Sequence, residues 1–329
     1  MIGFNEHPAA LRSLFLTELW ERFSFYGLQA LLILYLVLPQ AQGGLGYEVA
    51  RAAAIYGNYT MSVYLLSALG GHIADRWLGA RRAVLIGAVV IALGHFILAL
   101  APNELLFVAL GCVATGTALL KPNVTALVGA LYAQNDKRRD AGFSLYYMGI
   151  NIGAFAAPLL CGYLAQGAGF KSWLVSAGFD PQRSWHWGFG AAGVGMLLGL
   201  AVLMSAWRTL TDPRPQRPSE AAVNAPDVRV AGAMAIGFFC VCAVLFYAMQ
   251  KQAGSSLNLF ADQHTRSELF GWQFPSSWFQ SMNALCVIVL APAFSALWLR
   301  MGDRQPSSPA KAVIGLGLGG MSFLVMAGA

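Results

Sequence analysis

Nine apolar stretches, each long enough to cross a membrane, dominate this chain of 329 residues. A bilayer core is about 30 Å thick and a helix rises about 1.5 Å per residue, so roughly 20 apolar residues span it. Only 11% of the residues are charged, against about 25% in soluble domains. We therefore predict an all-α, polytopic membrane protein. The predicted spans are 12–38, 52–74, 83–101, 104–131, 141–165, 186–207, 230–252, 278–299 and 313–329.

The polar segments between these spans predict the domains and the orientation. A proline-rich linker at 209–228 separates six spans in 1–208 from about three in 229–329. Arginine and lysine are concentrated in the loops on the side of the N-terminus, which predicts a cytoplasmic N-terminus in the inner (plasma) membrane. This bias explains the net charge of +6, so we expect a lipid bilayer around the protein and no nucleic-acid partner. The ninth span stops at Ala329 without a polar tail, which predicts a C-terminally truncated chain.

Three charged residues interrupt the first span. Glu18 and Arg22 are separated by four residues, the favourable spacing for a helical ion pair, and Glu21 is three residues from Glu18. A charge at the bilayer centre costs about 2.5–3.5 kcal/mol, so these side chains must face a wet cavity or one another. We predict a cluster that exchanges protons. The alternative is a buried ion pair that only fixes helix packing.

Other polar residues lie in or next to the apolar spans. Lys121 precedes Pro122 deep in the fourth span and is predicted to be a cavity-facing cation that can bind a carboxylate. Asn151 and Asn283 could bind a polar ligand or join helices by hydrogen bonds. Lys251 could be functional or could reach the membrane surface. A glycine-rich motif at the end of the second span predicts a hinge, or alternatively a plain stop-transfer cluster; its charged residues include Asp75, Arg76 and Arg81.

No catalytic motif and no metal-ligand spacing occurs among the histidines and cysteines. We therefore expect no enzyme activity, no cofactor and no metal.

Together these motifs resemble the proton-dependent oligopeptide transporter (POT/PTR) family of the major facilitator superfamily. The first-helix signature of that family, ExxERFxYYG, is matched from Glu18 to Gly27, except that Phe25 replaces the first tyrosine. Four further segments resemble family or superfamily motifs in the same order: 71–82, 143–155, 247–262 and 280–283. The resemblance implies a major facilitator fold, with a complete N-terminal six-helix bundle and about three helices of the C-terminal bundle (7, 8 and part of 9).

The resemblance also implies roles for individual residues. The proton-coupling cluster would be Glu18, Glu21 and Arg22. The peptide's carboxylate end would meet Arg22, Tyr26, Tyr64 and Lys121, and its amino end would meet Asn151 and Asn283. Tyr247 stands where a tryptophan is common in the family. The implied function is import of di- and tripeptides with protons by alternating access, and we expect a monomer.

Two departures from the family pattern keep alternatives open. Gln29 stands where the family usually has arginine, and Lys251 where it usually has glutamate, so the outer-gate salt bridge of the family is missing. The chain could instead be a non-transporting or truncated family member. It could also be a major facilitator for another anionic solute.

Overall fold

The computed structural model describes residues 4–100, 103–133, 135–213 and 226–328. A long helix lies at each of the nine predicted apolar spans, with ends shifted by a few residues. These helices are α1 (Ala9–Val37), α2 (Val49–Ile73), α3 (Ala80–Leu100), α4 (Leu106–Ala130), α5 (Arg139–Gln166), α7 (Ser184–Ser205), α8 (Pro226–Lys251), α10 (Ser281–Met301) and α11 (Ser308–Ala327).

Seven of the helices in the described part of the chain are long and apolar enough to cross a membrane. The helices α1 and α2 are outside that set, although they lie at predicted spans. In α1 the reason is visible, because Glu18, Glu21 and Arg22 lower the mean hydropathy of the helix. The prediction of an all-α membrane protein is confirmed.

Three short elements were not predicted. Helix α6 (Ala168–Ser176) follows α5, and helix α9 (Ser256–His264) follows α8. A small antiparallel hairpin joins β1 (Glu268–Leu269) to β2 (Trp272–Gln273), with Gly271 in its turn at a φ of 80°. Most of the predicted linker, residues 214–225, lies outside the described residues.

The chain divides into two compact units. The first contains Met1–Pro215 and Gly254–Ile288, and the second contains Gln216–Ala253 and Val289–Ala329. Residues 254–288 belong by sequence to the second half, yet they pack with the helices of the first half. In the second unit, α8 packs against α11, where the Met249 methyl group lies 3.4 Å from the position of a Cβ on Gly319.

Helix α1 is the centre of the first unit. It runs beside α5 in the same direction, since Phe15 faces Gly149, Arg22 faces Gly153 and Gly27 faces Cys161. Aliphatic side chains near the C-terminal end of α1 are completely buried; they include Leu28, Leu31, Leu32, Ile33 and Leu36. This packing fixes α1 against α5 over most of its length.

Pro122 sits inside α4 without breaking the helix. A proline cannot donate a hydrogen bond to the carbonyl four residues earlier, here that of Ala118. Gly70 of α2 packs closely against that carbonyl, and the Asn123 side chain donates to the Gly70 carbonyl at 3.4 Å. These contacts hold α2 and α4 side by side and place Lys121 next to α2.

Candidate functional site

The two acids of α1 share a single guanidinium. Arg22 donates from two nitrogens, Nε and Nη2, to the Glu21 carboxylate, and its Nη2 lies 2.6 Å from Glu21 Oε1. Arg22 Nε also lies 3.2 Å from Glu18 Oε1. A two-point arginine–carboxylate contact is among the stronger hydrogen-bonded pairs in proteins. With two carboxylates and one guanidinium, the cluster carries one net negative charge when all three groups are ionised.

All three side chains are buried within the helices. The exposed fractions are 1% for Glu18, 0% for Glu21 and 4% for Arg22. In the described part of the chain, Glu18 Oε2 has no hydrogen-bond partner. A buried charge is expensive to leave unpaired, so a proton arriving on either acid would change how strongly Arg22 is held. The sequence alternatives were a wet cavity or mutual pairing, and in this structure the charges pair mutually.

Glycine in α5 allows this close packing. A Cβ on Gly153 would clash with the Leu19 carbonyl oxygen and would lie 3.1 Å from Arg22 Cβ, so a larger residue would push α1 away. Tyr146, also on α5 and buried, interacts with the Glu18 carboxylate. Its spacing from Gly149 and Gly153 is three and seven residues, which puts all three on one helix face.

A second cation lies next to the cluster. Lys121 Nζ sits 4.9 Å from the centre of the Tyr64 ring, a cation–π distance. Lys121 also interacts electrostatically with Arg22, Glu21 and Glu18. Because Lys121 and Arg22 repel each other, a ligand carboxylate between them would relieve that repulsion.

Three tyrosines lie around Arg22 and Lys121, and two of them are exposed. Tyr64 is 42% exposed and Tyr147 is 56% exposed, whereas Tyr26 is half-buried. Tyr26 interacts electrostatically with both Tyr64 and Tyr147, as well as with Arg22. The structure thus brings Tyr26, Tyr64 and Lys121 together around Arg22.

The two predicted asparagines differ in their surroundings. Asn151 is buried on α5 and donates through Nδ2 to the Tyr147 carbonyl of its own helix at 2.9 Å. Asn283 is exposed on α10 within the first unit. Tyr247 and Lys251 lie on α8 in the second unit, and Tyr247 is exposed there.

Gln29 lies at a different place, near the C-terminal end of α1. It is buried against Gly254, where a Cβ on the glycine would lie 2.8 Å from Gln29 Nε2. Close by, Asn258 Nδ2 donates to the Ala30 carbonyl at 2.9 Å. We call this contact between 254–281 and the C-terminal ends of α1 and α5 the far-end contact. It lies at the end of the bundle away from the N-terminus.

Two further bonds in the far-end contact reach the α5 backbone. Trp278 Nε1 donates to the Leu159 carbonyl at 3.0 Å, and Ser281 Oγ donates to the Phe155 carbonyl at 2.7 Å. Since the C-terminal ends of α1 and α5 lie together, residues 254–281 cover that end of the first unit.

The predicted hinge motif lies between α2 and α3. Asp75 and Arg76 are exposed. The Arg81 backbone N–H donates to Asp212 Oδ1 at 2.8 Å, and the Arg81 guanidinium carbon lies 4.4 Å from the centre of the Trp207 ring. The motif therefore contacts the segment that follows α7.

Sequence reasoning missed Tyr146, Asn258 and Asp212. The shared helix face with Gly149 and Gly153 could have pointed to Tyr146. Nothing local could have found the other two, because their partners are more than 100 residues away. Among the described residues, no group of three or more histidine, cysteine, aspartate or glutamate side chains could hold a metal ion.

The POT family model matches residues 81–226 and 222–329 of this chain. Among relatives, a peptide transporter of Yersinia enterocolitica is 36% identical over 98% of this chain and 74% of its own length. A di-/tripeptide transporter of Lactococcus lactis subsp. cremoris is 33% identical over 98% of this chain and 76% of its own. The Yersinia alignment extends over 392 residues, so that relative contains stretches without a counterpart here.

Solved structures agree with the sequence matches. A peptide transporter POT mutant in complex with alafosfalin has a TM-score of 0.81 and 36% identity, covering 98% of this chain and 75% of that chain. A POT family transporter in complex with 5-aminolevulinic acid has a TM-score of 0.80 and 30% identity, covering 98% of this chain and 77% of that chain. All of these relatives are transporters rather than enzymes.

Proposed function

This chain belongs to the POT family, and we propose that it imports di- and tripeptides together with protons by alternating access. One observation carries the proposal: two buried acids share one guanidinium next to a second cation, Lys121. Intramembrane ionisable groups of this kind mark ion pathways and proton relays.

The carboxylate end of a peptide would bind between Lys121 and Arg22. A ligand carboxylate competes with Glu18 and Glu21 for Arg22, and the acid that loses its partner then binds a proton more readily. Peptide and proton thus favour each other at this site, which is the requirement for symport. The shift between inward and outward states follows from their different affinities for those states.

The amino end of the peptide would be held by Asn151 and Asn283. Asn151 has its Nδ2 bonded to its own helix, so its Oδ1 is the atom that can accept from an ammonium group. The family motif also assigns a role in peptide binding to Tyr247. This assignment rests on the family motifs and on the buried position of Asn151.

The free energy available from proton entry can be estimated. One proton crossing about 100 mV gains about 2.3 kcal/mol, which corresponds to roughly fifty-fold accumulation at about 1.4 kcal/mol per factor of ten. Uptake of labelled dialanine into proteoliposomes should therefore rise when a potential, negative inside, or an inward proton gradient is imposed.

The variant Glu21→Gln tests the coupling. We expect it to abolish gradient-driven uptake while exchange of dialanine across the membrane continues. Glu104→Gln is the matched control, because Glu104 is an exposed acid outside the cluster. Uptake that ignores the gradient and survives Glu21→Gln would overturn the proposal.

Lys251, a base where the family usually has an acid, motivates the alternative of a non-transporting member, and the same assay also tests the alternative of another anionic solute. A non-transporting member would bind dialanine without moving it into the vesicles. A major facilitator for another anionic solute would show neither binding nor competition by dialanine. Measuring both binding and uptake of dialanine in the same vesicles distinguishes these outcomes.

We further propose that the protein is a monomer in the plasma membrane with a cytoplasmic N-terminus. The charge distribution between loops supports this orientation. Labelling of single cysteines introduced at Arg82 and Arg266 by a membrane-impermeant thiol reagent tests it, in a chain whose own five cysteines are replaced. Only the cysteine at position 266 should react from outside intact cells.

A further inference from the structure

A large groove opens on the first unit, and neither Lys121 nor Tyr64 lines it. Its volume is about 680 Å³ and its walls come from α1, α3, α5 and α7. The walls are mostly aromatic and aliphatic; they include Trp20, Phe23, Phe96, Leu164, Trp187 and Leu198. This volume lies in the range of sites that hold small organic ligands.

The groove follows α7 from its beginning toward the membrane centre. His186 and Leu198 both line it, and 12 residues of helix extend about 18 Å. One leaflet of a bilayer core is about 15 Å deep. Trp20 and Phe23 form the inner end, near the middle of α1. The groove therefore has the depth of one acyl chain in one leaflet.

The outer mouth of the groove is polar and combines one cation with two acceptors. The Asp180 carboxylate, the Arg183 guanidinium and the His186 ring line it. Among the ion pairs between described residues, none involves Arg183. Asp180 Oδ1 accepts a hydrogen bond from Gln182 N at 2.9 Å, so the other carboxylate oxygen, Oδ2, is the one that can accept from a ligand.

The histidine adds the second acceptor. His186 Nδ1 lies 2.7 Å from the Ala99 carbonyl oxygen. A carbonyl oxygen can only accept, so Nδ1 carries the hydrogen and, in the neutral ring, Nε2 is an acceptor. The mouth thus offers a guanidinium for a phosphate, and a carboxylate and an imidazole nitrogen for an ammonium group.

We infer that this groove binds an aminophospholipid of the phosphatidylethanolamine type. One acyl chain lies along α7, the phosphate pairs with Arg183, and the ammonium group donates to Asp180 and His186. A choline headgroup has no N–H to donate, and a glycerol headgroup has no cation for Asp180. The ethanolamine headgroup is therefore selected by its N–H donors as well as by its positive charge.

The occupant would also touch the helix of the acidic cluster. Trp20 and Phe23 flank Glu21 and Arg22 in sequence, and their rings meet edge to face at 5.6 Å. A lipid in the groove thus contacts the side of α1 that packs on α7, where Phe23 lies against Gly195 and Trp20 against Gly199. The lipid site is independent of the proposed transport, because its occupancy can be measured without any substrate.

Native mass spectrometry of the purified chain tests this inference. The protein is equilibrated with equal amounts of phosphatidylethanolamine, phosphatidylcholine and phosphatidylglycerol of the same chain length. We expect one bound lipid, with the ethanolamine lipid retained about five-fold more often than either competitor. Arg183→Gln should lower retention of all three lipids about five-fold, whereas Arg266→Gln, which changes an exposed arginine outside the groove, should leave retention unchanged.

Two more variants separate recognition of the lipid headgroup from binding of its acyl chain. Asp180→Asn keeps an oxygen for Gln182 N but should remove the preference for ethanolamine over choline. Gly190→Leu should reduce all lipid binding, since a Cβ there meets only Ala99 at 3.6 Å and the rest of the side chain fills the groove. Unfolding temperatures confirm that each variant is folded. Equal retention of all lipids, unchanged retention in Arg183→Gln, or a lipid-free dimer would each overturn the inference.

Discussion

The acidic cluster and the far-end contact both hold α1 in place, but with different chemistry. The cluster joins Glu18, Glu21 and Arg22 through charge, near the middle of the helix. The far-end contact uses neutral donors that bond to backbone carbonyls, as Asn258 does with Ala30. The first can be rearranged by a proton, while the second has no group in these bonds that gains or loses one near neutral pH.

This difference suggests a division of labour. The cluster can respond to protons, whereas the neutral bonds of the far-end contact keep their strength when the pH changes. Neutral bonds of about 0.5–1.5 kcal/mol each can be broken and remade at modest cost. A buried ion pair that loses one partner costs about 3–5 kcal/mol, which makes the cluster the more sensitive of the two regions.

Arg22→Ala should have the largest effect. It leaves two buried carboxylates without the guanidinium that they share, so we expect a loss of about 3–5 kcal/mol in the free energy of unfolding near neutral pH. Thermal unfolding in detergent measures this. The loss should shrink at low pH, where protonated acids no longer need a cation. Arg12→Ala, at an exposed arginine of the same helix, should change little; an equal loss in both variants would refute the special role of the cluster.

Asn258→Ala should have a smaller effect that does not vary with pH. It removes one neutral hydrogen bond, while the Ala30 carbonyl keeps its bond within α1, for an expected loss of about 0.5–1.5 kcal/mol. Accessibility of a cysteine introduced at Ser277, which is completely buried in the far-end contact, should rise as this end opens, in a chain whose own cysteines are replaced. Asn58→Ala, at an exposed asparagine of α2, is the control. A strong pH dependence of the Asn258 effect would break the contrast between the two regions.

The sequence was sufficient for features whose partners are close along the chain. The spans follow from apolar length, and the Glu18–Arg22 contact follows from helical spacing. The stronger pairing of Arg22 with Glu21 was not predicted, because neighbouring residues do not normally face each other on a helix. The long arginine side chain overcomes this by turning back along α1.

Features that depend on docking of distant segments could not be predicted. The bond from Asn258 to Ala30 joins residues 228 positions apart. Its existence depends on how residues 254–288 pack against α1 and α5, which no local pattern encodes. The lipid groove has the same origin, since its walls come from four helices.

Gly153→Ala tests whether the cluster depends on the fit between α1 and α5. The added Cβ would clash with the Leu19 carbonyl oxygen and would lie 3.0 Å from Phe23 N, so we expect a loss of about 1–3 kcal/mol from overpacking. Gly57→Ala is the matched control, because a Cβ there meets nothing within 4 Å. In a helix interior that control should stabilise by about 0.5–1 kcal/mol. The same sign in both variants would contradict the tight fit.

Asp136→Asn should have the smallest effect, and it sharpens the contrast between buried and exposed ion pairs. Between α4 and α5, Arg138 Nη2 lies 2.8 Å from Asp136 Oδ2, and the side-chain hydrogen bonds from Arg138 hold the pKa of this carboxyl below its usual value. A carboxyl with a lowered pKa stabilises the fold above its unfolded pKa, about 3.9, and loses that contribution as the pH falls through the folded pKa.

The unfolding temperatures of the parent chain and of Asp136→Asn should therefore differ slightly at pH 7 and converge below pH ~3.9. Solvent screens this pair, and exposed ion pairs contribute little to stability, whereas the charged groups of the α1 cluster are buried. If the exposed pair mattered as much as Arg22 does, burial would not be what makes the acids of α1 sensitive to protons. The comparison of these two variants thus tests whether the position of a charge, rather than its presence, determines its role.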